Sequence, residues 1–256
     1  MIKIENTDVY GFETAIRGMR NPMNSWEKSD SGYCEGRSAR CDNCPIEPDE
    51  YAPCHAALSN AGKLYVVGEK DFTLMKQLVK AGSDHSKFMR MITVTCDITA
   101  PMYWWKEMDT YKVGTVRNSC STMHTIHKKE FELDDFSHEH LIEDSRLHML
   151  DTIEILNSCR DAYINYEQYQ SEHVFIQEIS SKKDLWWQII QLLPSSYNQR
   201  ATWQANYAVL RNIYHARKNH KLDEWHDFCS WVESLPCSEL ITYSKEGSIN
   251  NGKNSE

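Results

Sequence analysis

Asn206 and Arg217 are the side chains whose types and spacing best suit a ligand pocket. Eleven residues make about three helical turns, so on a helix both project on nearly the same face, with Leu210 and Ile213 between them. A guanidinium presents a planar fork of donors and can stabilise negative charge developing on a bound group. The alternative for Arg217 is a cation beside Lys218 that offsets a helix dipole. Asn212 lies about a third of a turn from Asn206, so it would serve another part of a ligand or a neighbouring subunit's site. Ser121 can donate to a phosphate or satisfy its own loop backbone. His85 and Lys112 can each hold a ligand or stand in solvent, and His138 and His140 form no metalloprotease pattern.

Cysteines make the second constellation. Cys34, Cys41, Cys44 and Cys54 are separated by six, two and nine residues, and Cys41-x-x-Cys44 is a chelate spacing that suits tetrahedral zinc. His55 could replace one thiol. An iron–sulfur cluster or unligated thiols are the alternatives, and a zinc here would be closed and structural.

Elements must position these groups. With 256 residues, 41% of them hydrophobic, the chain can bury one substantial core. A net charge of −9 disfavours nucleic-acid backbones and anionic membranes, so a nucleotide partner would be a monomer. The amino terminus lacks the apolar core of a signal peptide and no run reaches membrane-spanning length, which predicts a cytoplasmic protein.

Residues 1–28 read as a strand and a helix of the core, with the helix over Val9 to Met19. Residues 29–60 read as a Cys-rich inserted loop, 61–243 as the main core and 244–256 as a disordered tail. Ile92 to Thr99 alternate apolar and polar residues, as a half-buried strand does. Lys63 to Val67 reads as a strand, and helices are expected from Asp71, after Pro101, over Leu147 to Tyr169, Asp184 to Leu193, Thr202 to Lys218 and Leu222 to Leu235.

Three places share a pattern. The first is Asp84-His85-Ser86-Lys87-Phe88. The second is Asp97-Ile98-Thr99-Ala100-Pro101 followed by Asn118-Ser119-Cys120-Ser121-Thr122-Met123-His124. The third is Leu193-Pro194, Trp203-Gln204-Ala205-Asn206, Asn212, Arg217 and Trp225. In order and spacing these resemble the flavin-dependent thymidylate synthases, over roughly Leu64 to Trp231. Where that family has Arg-His-Arg, this chain has Thr110-Tyr111-Lys112 or Tyr111-Lys112-Val113, and Ser119, Met123 and Ala208 stand where the family has Glu, Arg and Arg.

The resemblance implies an α/β (α+β) fold with a small sheet and long packed helices, assembled as a homotetramer with sites between subunits. It implies FAD held by His85, Asn206, Asn212, Lys112 and Asn118, and dUMP held and polarised by Ser121 and Arg217, with Lys112 aiding a phosphate. The implied reaction is methylation of dUMP to dTMP with methylenetetrahydrofolate and NADPH. Pushing electron density to C5 places negative charge on the ring N3 and carbonyl oxygens, which a fixed guanidinium stabilises. The lost signature cations leave two rivals: a non-catalytic nucleotide- or flavin-binding or interaction protein, or an enzyme modifying another pyrimidine nucleotide.

Overall fold

The computed structural model describes residues 2–33, 65–172 and 179–244. Its elements in order are β1 (Lys3–Tyr10), α1 (Phe12–Arg20), β2 (Gly32–Tyr33), β3 (Tyr65–Val66), α2 (Glu69–Ala81), β4 (Thr93–Pro101), α3 (Met102–Met108) and β5 (Val116–Ser119). There follow α4 (Thr122–Thr125), α5 (Glu143–Ile164), α6 (Tyr166–Glu172), α7 (Lys182–Leu192), β6 (Asn198–Asn206), α8 (Tyr207–Arg217), α9 (Asp223–Glu233) and α10 (Glu239–Thr242). Four strands form one sheet in the order β1-β4-β6-β5, and β2 pairs with β3 in a second, antiparallel ladder. This is the mixed helix-and-sheet class expected from the sequence.

The chain clusters into two compact units. One comprises residues 2–5, 97–110 and 117–203. Its core gathers Ile126, Phe131, Phe136, Ile153, Leu156 and Ile189, with Met149, Tyr163 and Tyr197 packed against them. Helices α5 and α7 supply the main helix–helix contact. A Ser181–Asp184 capping box starts α7, satisfying donors that the first turn would otherwise orphan. The single helix expected over Leu147 to Tyr169 is two helices, because Asn165 leaves helical backbone angles and ends α5.

The other unit comprises residues 6–96, 111–116 and 204–244 of those described. Ile92, Val94 and Cys96 of β4 and its approach are buried, and Thr93 and Thr95 between them are less so, as period two requires. Tyr207, Leu210 and Ile213 of α8 join Trp225, Phe228 and Val232 of α9 in the core. Gly11 starts α1 at φ +94, and a Cβ there would lie 2.0 Å from the Met91 carbonyl oxygen, so only glycine fits.

Gly32 pairs with Val66 and Tyr33 with Tyr65, so the described residues on either side of the Cys-rich segment lie side by side. Beneath them lies a polar knot. Asp71, fully buried, accepts from Arg20 Nε at 2.6 Å, Ser29 Oγ at 2.6 Å and Ser31 Oγ at 2.6 Å. Asp30 accepts from the Lys70 and Asp71 amides, occupying donors in the first turn of α2.

The helix expected over Thr202 to Lys218 is corrected. Asn198–Asn206 is a strand, with Ala201, Trp203 and Ala205 buried and Arg200, Thr202 and Gln204 exposed between them. Alanines at alternating buried positions carry little strand propensity, so local sequence suggested a helix where tertiary pairing imposed a strand. Expectations for Cys34, Cys41, Cys44, Cys54 and the tail beyond Ser244 fall outside the described residues.

Candidate functional site

The correction from helix to strand over residues 198–206 changes how Asn206 is placed. Asn206 caps α8 with extended backbone angles, and its Oδ1 accepts from the Val209 amide at 3.0 Å. The cap locks the carboxamide while its Nδ2 makes no hydrogen bond among the described residues. Arg217 is the last residue of that helix. The two mark opposite ends of α8, three turns apart, and Asn212 lies exposed between them.

Arg217 is held by aromatic neighbours. Its guanidinium carbon lies 4.8 Å from the centre of the Trp225 ring and 5.5 Å from that of Tyr111, and its Nε donates to the Tyr111 hydroxyl at 2.9 Å. Tyr111 and Trp225 meet nearly edge to face, with His220 on the Trp225 ring. A cation over an aromatic face gains about 0.5–2 kcal/mol, depending on desolvation. A long side chain at a helix end, otherwise free to sample many rotamers, is thus restricted.

Tyr111 rides on a tight turn. Thr115 Oγ1 donates to the Tyr111 carbonyl, and Gly114 adopts φ +78. A Cβ on Gly114 would approach Val209 Cγ2 at 3.0 Å and Asn206 Nδ2 at 3.2 Å, so a residue without a side chain lets the turn lie against the α8 cap. The same turn carries Lys112, exposed and without an ion pair among the described residues. Asn206, Tyr111 and Arg217 are thus bound into one structure through the turn and α8. His85 stands apart from these contacts, exposed in the turn after Gly82, while Phe88 beside it is buried.

In the other unit, Asn118 is exposed on β5, and Ser121 precedes α4 with its carbonyl accepting from Thr125 and its hydroxyl making no cap bond. Arg117 stacks on Trp105 at 3.8 Å, bonds Asp109 at 2.7 Å and donates to Gln199. Arg200 pairs with Asp97 at 2.8 Å, and Thr202 also donates to Asp97. Arg211, in the first-described unit's counterpart, donates to the Leu240 and Ile241 carbonyls. Arg117 and Arg211 are therefore occupied by partners within their own units and are poor substitutes for the missing signature arginines.

No protein-family model matches the sequence, and no curated protein is significantly similar to it. Solved structures are similar in fold. A flavin-dependent thymidylate synthase ThyX from Helicobacter pylori, complexed with FAD and dUMP, superposes with a TM-score of 0.57 at 17% identity, covering 94% of this chain and 98% of that chain. A second ThyX structure from that organism, with FAD and dUMP, gives 0.57 at 16% identity over 94% and 98%. The chain has the flavin-dependent thymidylate synthase fold.

A UMP/dUMP methylase, PolB from Streptomyces cacaoi, bound with 5-Br dUMP, is similar at a TM-score of 0.50 and 10% identity, over 94% of this chain and 95% of that chain. On the thymidylate synthase fold of this chain, thiol chemistry is poorly served at two positions. Burial pushes the Cys229 thiol up to about 11 and the Cys237 thiol to about 12, so neither supplies a thiolate near neutrality. Among the described residues no cluster of three metal-ligating side chains occurs, and no helix is long and apolar enough to cross a membrane. Sequence reasoning placed Tyr111 only in the degraded signature triplet. Its role with Arg217 depends on a contact between residues 106 positions apart, which leaves no local signal.

Proposed function

We propose that the chain binds FAD and a deoxyuridine nucleotide and methylates the pyrimidine at C5, with methylenetetrahydrofolate as carbon donor and NADPH as reductant. The observation that carries this reading is the Arg217 guanidinium fixed against Trp225 and Tyr111, on a fold whose solved examples were crystallised with FAD and dUMP. Such a group fits the N3 and carbonyl edge of a uracil ring, where negative charge grows as C5 becomes nucleophilic.

The residues implied for a flavin are all able to hydrogen-bond. The locked Asn206 carboxamide keeps Nδ2 available, and His85, Asn118, Asn212 and Lys112 present exposed polar groups. Bound flavin would supply hydride, which no side chain can. In this reading Asn206 and Asn212 orient the ring system, His85 and Asn118 add hydrogen bonds, and Lys112 meets a phosphate. Ser121, whose hydroxyl is uncommitted, donates to the nucleotide. The reading extends to a homotetramer in which neighbouring copies complete each site, as the resemblance implies, and the Cys34, Cys41, Cys44 and Cys54 set is proposed as a structural zinc site.

A second reading is non-catalytic binding, or action on another pyrimidine nucleotide. It is favoured by the internal pairing of Arg117 and Arg211, which leaves the signature losses uncompensated by those two. Titrating the purified protein with FAD, with and without deoxyuridylate, separates them. Saturable flavin binding strengthened by the nucleotide, followed by nucleotide-dependent NADPH oxidation, supports the enzyme. Flavin binding without turnover supports the binding protein, and no flavin binding at micromolar protein rejects both flavin readings.

A further inference from the structure

The geometry points to Tyr111 as a second ligand-binding donor, acting beside Arg217 on one carbonyl oxygen of the pyrimidine. This rests on the proposed uracil-nucleotide reading and deepens it. The Tyr111 oxygen accepts from Arg217 Nε at 2.9 Å, so its own hydrogen must point elsewhere, and the described residues give that hydrogen no acceptor. A phenol carries one hydrogen and two lone pairs, so accepting from a guanidinium still leaves it a donor. Polarisation by the neighbouring cation strengthens that donor.

The hydroxyl is also held in place. The Thr115 bond to the Tyr111 carbonyl fixes the backbone, and the left-handed turn at Gly114 packs against Val209. The Trp225 ring meets the Tyr111 ring almost edge to face, at 6.4 Å between centres. A fixed O–H beside a fixed cation selects an oxygen that is neutral in the bound ligand and gains negative charge later. A carbonyl of a uracil ring has that character, whereas a phosphate is already anionic and needs no such pairing. The phenol would thus stabilise that oxygen beside Arg217 without adding charge.

The test uses the full-length protein loaded with FAD, with affinity read from flavin fluorescence. Deoxyuridylate and its 2-thio and 4-thio analogues are titrated into the wild type, Tyr111→Phe and Arg217→Lys. Sulfur accepts hydrogen bonds poorly, so one thio analogue should bind the wild type about five- to tenfold more weakly than deoxyuridylate. In Tyr111→Phe the affinity for deoxyuridylate should fall by a similar factor and the gap to that analogue should shrink, with FAD affinity unchanged. In Arg217→Lys that gap should persist. Unaltered deoxyuridylate affinity in Tyr111→Phe would overturn the assignment. Weakened binding with an undiminished thio gap would overturn it too, leaving Tyr111 only orienting Arg217. A wild type that binds FAD but shows no response to any of the three nucleotides would reject the uracil-nucleotide reading itself, and this inference with it.

Discussion

Replacing Asp71 by Ala should destabilise the protein by about 3–5 kcal/mol, the cost typical of removing one partner from a buried ion pair. The magnitude follows from what the carboxylate leaves behind. Arg20, only 5% exposed, would lose its 2.6 Å partner, and two serine hydroxyls would lose their acceptor. Arg20 would retain its bonds to the Ser25 and Lys28 carbonyls, which orient a cation without neutralising it. Against a total stability of about 5–15 kcal/mol, this is a large fraction.

Urea unfolding of the full chain followed by circular dichroism gives the number directly as a midpoint shift at constant slope. A companion double variant, Arg20→Met with Asp71→Leu, removes both charges and should recover much of the loss, because well-packed apolar side chains can replace a buried pair. Acid titration supplies an independent check. Burial alone would raise the Asp71 pKa, but bonds from Ser29, Ser31 and Arg20 outweigh it and hold the carboxyl below its ordinary value. Its contribution is therefore present above the ordinary aspartate range and lost as pH falls through the lowered value, so Asp71→Asn should flatten that acid limb. A loss below about 1 kcal/mol for Asp71→Ala would refute the reasoning, since an exposed pair is worth no more than that.

Arg217→Ala should abolish nucleotide-dependent turnover while leaving the circular dichroism spectrum unchanged; a fully active variant would reject the site. Gly114→Val combines a positive φ with a Cβ 3.0 Å from Val209 Cγ2, so it should cost about 1–2 kcal/mol in urea unfolding and weaken nucleotide binding by moving Tyr111. Chelator treatment should lower the melting temperature and release about one zinc per chain, as expected where metal binding is coupled to folding; retained stability with no zinc detected by elemental analysis would dismiss the metal site.

Much of the architecture was legible from periodicity. The alternation from Ile92 to Thr99 placed β4, and the apolar stripe of Trp225, Phe228 and Val232 placed α9, because burial imposes the repeat of the element on the sequence. Capping and breaking residues placed the end of α7 before Pro194 and of α2 before Gly82. What stayed hidden was non-local. Ala201, Trp203 and Ala205 alternate, yet alanine and the helix that follows read as one helical run until sheet pairing is known. Asp71 looked like a helix-opening acid, and only the fold brings Arg20, 51 positions away, against it. The pattern around Asn206, Asn212 and Arg217 was read as one helix, and its geometry is a cap, an exposed position and a helix end.

The cations that remain distinguish two kinds of binding energy. A phosphate is bound equally in the ground and transition states, so losing the arginines that grip it lowers affinity without touching the chemical step. A group aimed at the ring edge acts where charge develops, so its loss would lower the rate of that step itself. In this chain the signature region, a natural place for phosphate contacts, retains Lys112 as its exposed cation, and Arg117 is neutralised by Asp109. Arg217, the candidate for the ring, is by contrast fixed by the Trp225 ring and by the ring and hydroxyl of Tyr111. Depleted signature cations therefore argue for weaker nucleotide capture more strongly than for lost chemistry. The contacts that would polarise a pyrimidine are the ones this fold still holds in place.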